Sequence, residues 1–373
     1  MKVLAVEDTT AQVMWARLPG GGVLRAGDAV AEVGEGPGAV VLGGLSPATP
    51  FDLVLQPQSG PAQRVGRFAT LAPPPGRELA WVATVNDCHL GGHGFGLLPP
   101  ARHPEGGFRV DTHDRCLEAA VAEAVAWGAQ LIVVKGDVTE SGQPDQWRAA
   151  AAVLGKAGVP VLAVPGNHDV THGSTDGRAI LDAAGVRLTV ADADAYDVPG
   201  LRVITIDSSW PLRHHGSVDD VATRAARLAA EAPAAVLVAL HHQFEPFHVR
   251  THWPPGISRS EADAFLDTLV AANRAVFVTT GHTHRHRRRQ RNQVPITEVG
   301  SNKDYPGTWA GYAVHEGGIR QVVRRVADPA CLRWTDATRY CFLGLWARWS
   351  MGTLDARCFS HDWPSRTSRA GAR

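Results

Sequence analysis

Val159-Pro160-Val161-Leu162-Ala163-Val164-Pro165-Gly166-Asn167-His168-Asp169 carries a short apolar run straight into a glycine turn and three polar side chains. A run of that length with no water-facing position reads as a strand buried on both faces, the kind found in parallel sheets. The glycine turn then presents an amide, an imidazole and a carboxylate at the strand's C-terminal end, where open α/β sheets hold their sites. The junction recurs along the chain. Leu79–Val85 leads into Asn86-Asp87-Cys88-His89, and Gln130–Val134 into Lys135-Gly136-Asp137. Ala234–Leu240 leads into His241-His242-Gln243, and Ala275–Thr279 into Gly281-His282-Thr283-His284.

Taken singly, these clusters are weak. Asp111-Thr112-His113 repeats the Asp-x-His pattern with no buried strand before it. Gly-Asp is a routine turn dipeptide, Gly-Asn-His-Asp can cap a helix, and paired histidines in a loop are commonly solvated. Order carries the weight, because all the clusters stand in sequence at expected strand ends. Buried aspartates and histidines need partners, and a bound cation would justify collecting so many in one place. Cys88, between two such residues, is expected to point away as a small apolar filler, with His242 behind a ligand. His93, His214 and His215 are expected in solvated rim loops, with contact to substrate as the alternative.

With Leu201–Ile206, the apolar runs alternate with amphipathic stretches at 112–127, 144–156, 176–184, 219–231 and 260–273, which is the pattern of a layered α/β domain. Residues 1–72 differ. Short strands are expected at 2–6, 11–18, 22–25, 29–33, 39–43, 51–56 and 63–70, separated by Gly, Pro and Asp clusters, as in a small sandwich. Ala11-Gln12-Val13-Met14-Trp15, Leu45–Phe51 and Phe68-Ala69-Thr70 resemble a fibronectin type III domain. In that resemblance Trp15 is the core tryptophan, and Phe51 stands at the usual corner tyrosine without its hydroxyl. Another small β domain is the alternative. Residues 73–78, with Pro73-Pro74-Pro75-Gly76, read as a stiff linker, 79–325 as the catalytic domain and 326–373 as a C-terminal extension. The extension holds three of the five cysteines and Trp334, Trp346, Trp349 and Trp363, and is expected to pack down and fray after Pro364.

Lys plus Arg (37) balances Asp plus Glu (37), so no general polyanion partner is implied. Arg285-His286-Arg287-Arg288-Arg289-Gln290-Arg291 could cradle an anion or a nucleic-acid backbone, but a charged hairpin arm alternating in and out is favoured. Nucleic acid is not favoured as a partner, since no aromatic stacking platform accompanies the arginines. The cysteines Cys88, Cys116, Cys331, Cys341 and Cys358 are odd in number and form no CxxC pair, which points to a reducing compartment rather than a disulfide scaffold. The opening MKVLAVEDTT lacks a secretory apolar stretch, and no window approaches ~20 apolar residues. A cytoplasmic location and no membrane partner are expected.

The ordered set Asp87-x-His89, Gly136-Asp137, Gly166-Asn167-His168-Asp169, His241 and Gly281-His282-x-His284 resembles the calcineurin-like metallophosphoesterases over roughly residues 79–325. Asp87-Cys88-His89 and His241-His242 look closest to the cyclic-nucleotide and glycerophosphodiester branch, although Gln243-Phe244 replace that branch's usual Pro-Pro. The resemblance implies an α/β fold: a four-layer αββα metallophosphoesterase sandwich, here preceded by the small all-β sandwich. It implies two divalent or mixed-valence transition metals, with Asp87, His89 and His284 on one, Asn167, His241 and His282 on the other, and Asp137 bridging. Ligands without thiolate suit Mn, Fe or Zn. His168 would steady a phosphoryl oxygen or protonate the leaving alkoxide, with Asp169 orienting its imidazole. Two cations ~3.5–4 Å apart can acidify a bridging water and neutralise the phosphoryl oxygens during in-line attack. The expected activity is hydrolysis of small phosphoesters, chiefly diesters and among them cyclic nucleotides. A phosphomonoesterase, a nuclease and a non-catalytic metal-bearing binding protein are the alternatives.

Overall fold

Short strands punctuated by glycine and proline give way, after Pro75, to strands in which nearly every side chain is apolar. The two parts of the chain solve the resulting burial problem differently. The computed structural model describes residues 1–97, 100–101, 112–170, 177–249, 253–291 and 293–364. Its first strands are β1 (Lys2–Val6), β2 (Thr10–Trp15), β3 (Gly22–Ala26), β4 (Ala29–Val33), β5 (Gly38–Gly43), β6 (Pro50–Pro57) and β7 (Gln63–Ala69). They form a three-stranded sheet, β1-β2-β5, and a four-stranded sheet, β4-β3-β6-β7. One side of each is apolar, so the sheets share a core of Val13, Leu24, Leu42, Leu53 and Phe68. Trp15 is buried in this core, and its indole Nε1 donates to the Gly34 carbonyl at 3.0 Å.

The second part needs cover on both faces of each sheet. Strands β8 (Glu78–Val85), β9 (Leu131–Lys135), β10 (Val161–Val164) and β11 (Val186–Leu188) run parallel in one sheet. Strands β12 (Ala193–Val198), β13 (Leu201–Ile206), β14 (Ala235–Leu240), β15 (Val276–Thr280), β16 (Arg287–Arg291) and β17 (Val294–Glu298) build the other, in the order β12-β13-β14-β15-β17-β16. The chain then returns to the first sheet as β18 (Thr308–His315), β19 (Gly318–Arg325) and β20 (Phe359–Asp362), completing the order β11-β10-β9-β8-β18-β19-β20.

Helices α1 (Thr112–Trp127), α2 (Pro144–Leu154), α3 (Asn167–Val170) and α4 (Arg178–Asp182) follow strands of the first sheet. Helices α5 (Ala222–Ala230) and α6 (Arg259–Ala272) follow strands of the second. Cys116, Leu117, Trp147 and Leu154 join the first set to its sheet, and Ala225, Phe265 and Leu266 join the second. Between the sheets lie Val82, Val133, Val203, Leu237, Phe277 and Tyr312. The layers therefore run helix, sheet, sheet, helix, preceded by the all-β region. Each fully buried Val, Leu or Phe contributes about 1.5–3 kcal/mol, a reserve against which costly polar arrangements at the rim can be set.

After β19 come α7 (Pro329–Thr338), a 3₁₀ turn at Phe342–Gly344, α8 (Leu345–Met351) and α9 (Leu354–Arg357). Trp334 is buried in this segment, as expected, whereas Trp349 stays 45% exposed; the stretch beyond Pro364 and Asp111 of the chance motif lie outside the described residues. All five cysteines are free and buried, and Cys88 lies with Cys116 in an apolar cluster. No helix among the described residues is long and apolar enough to cross a membrane.

The arginine run forms the edge strand β16 and the residues before it, but its charges are largely engaged. Arg285 and Arg289 share Glu298 (2.9 Å each), and Arg288 sits over the Phe359 ring at 3.7 Å. Arg291 pairs with Asp263 at 2.5 Å. Arg285 is only 2% exposed, so the picture of a solvated arm fails for it.

The all-β region docks on β19. The buried Glu7 carboxylate pairs with Arg324 and Arg320 and accepts from Trp127 Nε1 at 3.2 Å. Gln12 bonds the Arg325 backbone in both directions, at 2.9 and 2.7 Å. Glu7→Ala would leave guanidinium groups at a buried junction short of a counter-charge. It should lower the unfolding free energy by about 3 kcal/mol in urea titrations; a loss under about 0.5 kcal/mol would mean that apolar contacts alone hold the region in place.

Candidate metal centre

The polar loops at the strand ends come from both sheets and meet on one rim. Asp87 follows β8, Asp137 follows β9 and Asn167 opens α3 after β10, while His241 follows β14 and His282 and His284 follow β15. Asp87, His89, Asp137, His282 and His284 have φ of 53°, 48°, 45°, 70° and 50°. This left-handed region costs a non-glycine residue roughly 1–2 kcal/mol, and such strain gathers at functional sites. Two glycines make room for the convergence. A Cβ on Gly136 would lie 2.5 Å from the His241 ring, and one on Gly166 would lie 2.2 Å from Asp137 Oδ1.

The side chains form two sets. In the first, His89 Nε2 and His284 Nε2 face each other at 3.3 Å, and Asp87 Oδ1 is 3.5 Å from His284 Nε2. Each ring's Nδ1 already faces a carboxylate: His89 faces Glu140 at 2.9 Å and His284 faces Asp304 at 2.6 Å. With Nδ1 donating, both Nε2 atoms turn lone pairs toward one point. In the second set, His241 Nε2 is 3.3 Å from Asn167 Oδ1 and 3.0 Å from His282 Nδ1. His241 Nδ1 faces the Lys135 carbonyl at 3.0 Å, and His282 Nε2 faces the Pro255 carbonyl at 3.2 Å. Asp137 joins the sets, because its Oδ2 lies 3.5 Å from His89 Nε2 and 3.3 Å from His241 Nε2.

Two clusters of lone pairs with too few protons to separate them fit cations. Burial opposes ionisation of Asp137, but His241, His168 and His89 hold its carboxyl well below the usual carboxylate range. Burial likewise disfavours charge on His241, yet Asp137 and Asp87 push it up to about 9. One proton there serves Asp137 and leaves the Asn167 and His282 lone pairs still facing the ring. Burial and His241 drive His282 well below the ordinary imidazole value, while burial and the Lys303 ammonium bring His89 down to about 3. The neutral imidazole is the form that binds metal. His242, expected behind a ligand, instead brings a ring nitrogen within 4.8 Å of those of His241 and His282; its Nδ1 meets Ser208 Oγ at 2.9 Å, and its buried Nε2 has no hydrogen-bond partner among the described residues.

His168 and Asp169 part company. His168 Nδ1 lies 3.0 Å from the Glu140 carbonyl, and its ring stands edge-on to His89 at 4.5 Å, with the side chain 35% exposed. Asp169, expected to orient this imidazole, is engaged with the neighbouring loops instead. Its carboxylate accepts from Gly166 N (2.8 Å), Val138 N (3.1 Å), Thr139 N (2.8 Å) and Thr139 Oγ1 (2.6 Å), tying the 136–139 loop to the 166 turn. Burial, with the Asp137 charge nearby, raises Asp169 to about 6.

A cavity of ≈ 640 Å³ opens over the centre and reaches His214, but neither His93 nor His215. Residues 80–286, more than half of the chain, match the calcineurin-like phosphoesterase family. The chain belongs to that family. A probable cyclic nucleotide phosphodiesterase of Rhodococcus erythropolis is 34% identical over 142 residues, 36% of this chain and 45% of that protein. One of Psychrobacter arcticus is 26% identical over 225 residues, 58% of this chain and 77% of that protein. The chain thus spans less than half the length of the first relative and about three quarters of the second. Among solved structures, a dimetal phosphatase from Danio rerio aligns with a TM-score of 0.47 at 14% identity, over 67% of this chain and 97% of that one.

Glu140, Lys303 and Asp304 escaped the reading of the sequence. The last two had a signal: Gly300-Ser301-Asn302-Lys303-Asp304 follows β17 as the other polar clusters follow their strands. Asp304 is fully buried, and its bond to His284 fixes that ring's tautomer and direction. Outer carboxylates of this kind typically matter 10–100-fold to metal affinity. Asp304→Asn, similar in shape but uncharged, should weaken metal binding about 10–100-fold in chelator competition. Unchanged affinity would mean that His284 is held without it.

Proposed function

We propose that this chain is a dinuclear-metal-dependent phosphoester hydrolase that prefers diesters, with cyclic nucleotides among its substrates. Asp87, His89 and His284 would hold one ion and Asn167, His241 and His282 the other, with Asp137 between them. The observation that carries this reading is the position of Asp137 Oδ2, within 3.5 Å of an imidazole of each set. Paired divalent ions supply such a site with an acidified water and neutralisation of phosphoryl oxygens. The names of the two phosphodiesterase relatives support the diester preference.

The remaining work falls to the chain's own groups. His168, its Nδ1 anchored on the Glu140 carbonyl, has Nε2 free to meet a leaving or phosphoryl oxygen in the cavity it lines. Lys303 also lines the cavity and adds positive charge beside Asp304, 3.5 Å away. Asp169 acts through the loops it ties together and not on substrate. We also infer that residues 1–72 are a fibronectin type III-like sandwich, supported by its division into three and four strands. Residues 73–78 are then the linker, 79–325 the catalytic domain and 326–373 the extension.

The purified protein loaded with Mn should hydrolyse bis-p-nitrophenyl phosphate faster than p-nitrophenyl phosphate. A chelator should abolish this activity and metal should restore it; activity in metal-free protein would end the reading. His168→Ala should keep the metals and lower kcat by about 10²–10⁴-fold on a diester with an alkoxide leaving group. A nitrophenolate needs little protonation, so its loss should be smaller. Equal losses would make His168 a phosphoryl-oxygen stabiliser, and loss of a metal would make it a ligand.

A further inference from the structure

The C-terminal segment lies beyond the family match at 80–286, yet it walls the cavity over the metal centre. Phe342, Leu345 and Trp349 line that cavity while 38%, 66% and 45% exposed. Large apolar groups left open to water and gathered round a concave site mark ligand recognition. The aromatic surface runs on to the metal ligands. Phe342 meets Trp346 at 5.6 Å and Trp346 meets Phe95 at 4.9 Å. Phe95 in turn stacks on His284 at 6.0 Å with 23° between the planes.

The wall is also held in place. Trp346 Nε1 donates to Asp304 Oδ1 at 3.3 Å, the same carboxylate that holds His284. His286 N donates to the Ser350 carbonyl at 3.0 Å, and the Arg285 guanidinium lies 4.5 Å from the Trp349 ring centroid. The rings are tilted 42–52° to one another, and a surface fixed from behind presents them to a ligand with little further ordering cost.

We infer that Phe342, Leu345 and Trp349 form the recognition surface for the non-phosphate part of the substrate, and that this part is a planar aromatic ring. The inference rests on the phosphoester reading above. The chemistry fits in two pieces: the metal centre and Lys303 take the anion, and the adjoining rings take the flat group. A volume of ≈ 640 Å³ is more than a bare phosphate group needs and falls in the range of small-molecule sites.

The test is calorimetric binding of methyl-, cyclohexyl- and phenylphosphonate to the full-length, metal-loaded protein. Phenylphosphonate should bind about tenfold more tightly than methylphosphonate, with cyclohexylphosphonate in between, because aromatic stacking adds to apolar burial. Phe342→Ala and Trp349→Ala should shrink the phenyl-to-methyl ratio severalfold. Leu345→Asn, at a well-exposed position, provides the same check should either ring deletion misfold. Equal binding of the phenyl and methyl compounds, or a ratio untouched by all three variants, would overturn the wall alone. Equal binding of the phenyl and cyclohexyl compounds would overturn the planar assignment. Failure of all three phosphonates to bind would bring down the phosphoester reading and this inference with it.

Discussion

One carboxylate oxygen sets the terms for the rest of the rim. Asp137 Oδ2 has to lie close to an imidazole from each sheet, at 3.5 Å from His89 Nε2 and 3.3 Å from His241 Nε2. That demand explains the glycines, since any side chain at Gly136 would strike His241 and any at Gly166 would strike Asp137. The backbone is left-handed at five of the seven candidate ligands that converge there. Buried Lys135, just ahead of Asp137, straps the sheets together by donating to Thr279 Oγ1 and the Thr280 carbonyl, each at 2.8 Å. Burial brings this ammonium down to about 7, a sign of what the strap costs. The three apolar layers offset such costs, and a looser core would let the rim relax into ordinary turns.

Much of this was legible because parallel strands buried on both faces leave little room for misreading. Leu201–Ile206 forms the strand its composition demands, and 112–127 forms the helix. Strand-end position then brought the seven candidate ligands together from sequence order alone. The role of Asp169 was misread for a geometric reason. Adjacent residues look like partners on paper, but successive side chains on a helical turn point about 100° apart. On α3, Asn167 therefore faces the centre, His168 faces the cavity and Asp169 faces back into the loops. Lys303 and Asp304 were missed because they follow a strand that contains a proline, Pro295, and ends in polar Thr297 and Glu298.

The wall over the site was not legible at all. Helix α8 has seven residues and α9 has four, too few for periodicity to declare a face. Trp346 and Trp349 could have been core, surface or site; only the return of the chain to the first sheet through β18–β20 decides among these. The arginine run misled in the opposite direction. Its charges suggested water, yet Glu298 and Asp263 draw three of them into ion pairs along the edge of the second sheet.

The same return gives the all-β region a bearing on the site although it holds no metal-ligand motif. Leu4 and Met14 of its strands pack with Met351 at the end of α8, and Trp346 and Tyr305 adjoin that cluster. Arg357 Nε donates to the Leu4 carbonyl at 2.8 Å, and Arg357 Nη1 donates to that of Met351 at 2.5 Å, so one buried guanidinium clasps both ends of the chain. From Met351 the contacts run to Trp346, five residues back, then through Asp304 to His284. The segment that walls the cavity is thus pressed between the all-β region and the candidate metal centre. Its short helices are far below the ~12–15 residues at which an isolated helix becomes even marginal in water. Their shape must therefore come from both neighbours at once, and the geometry at His284 depends in part on strands at the opposite end of the sequence.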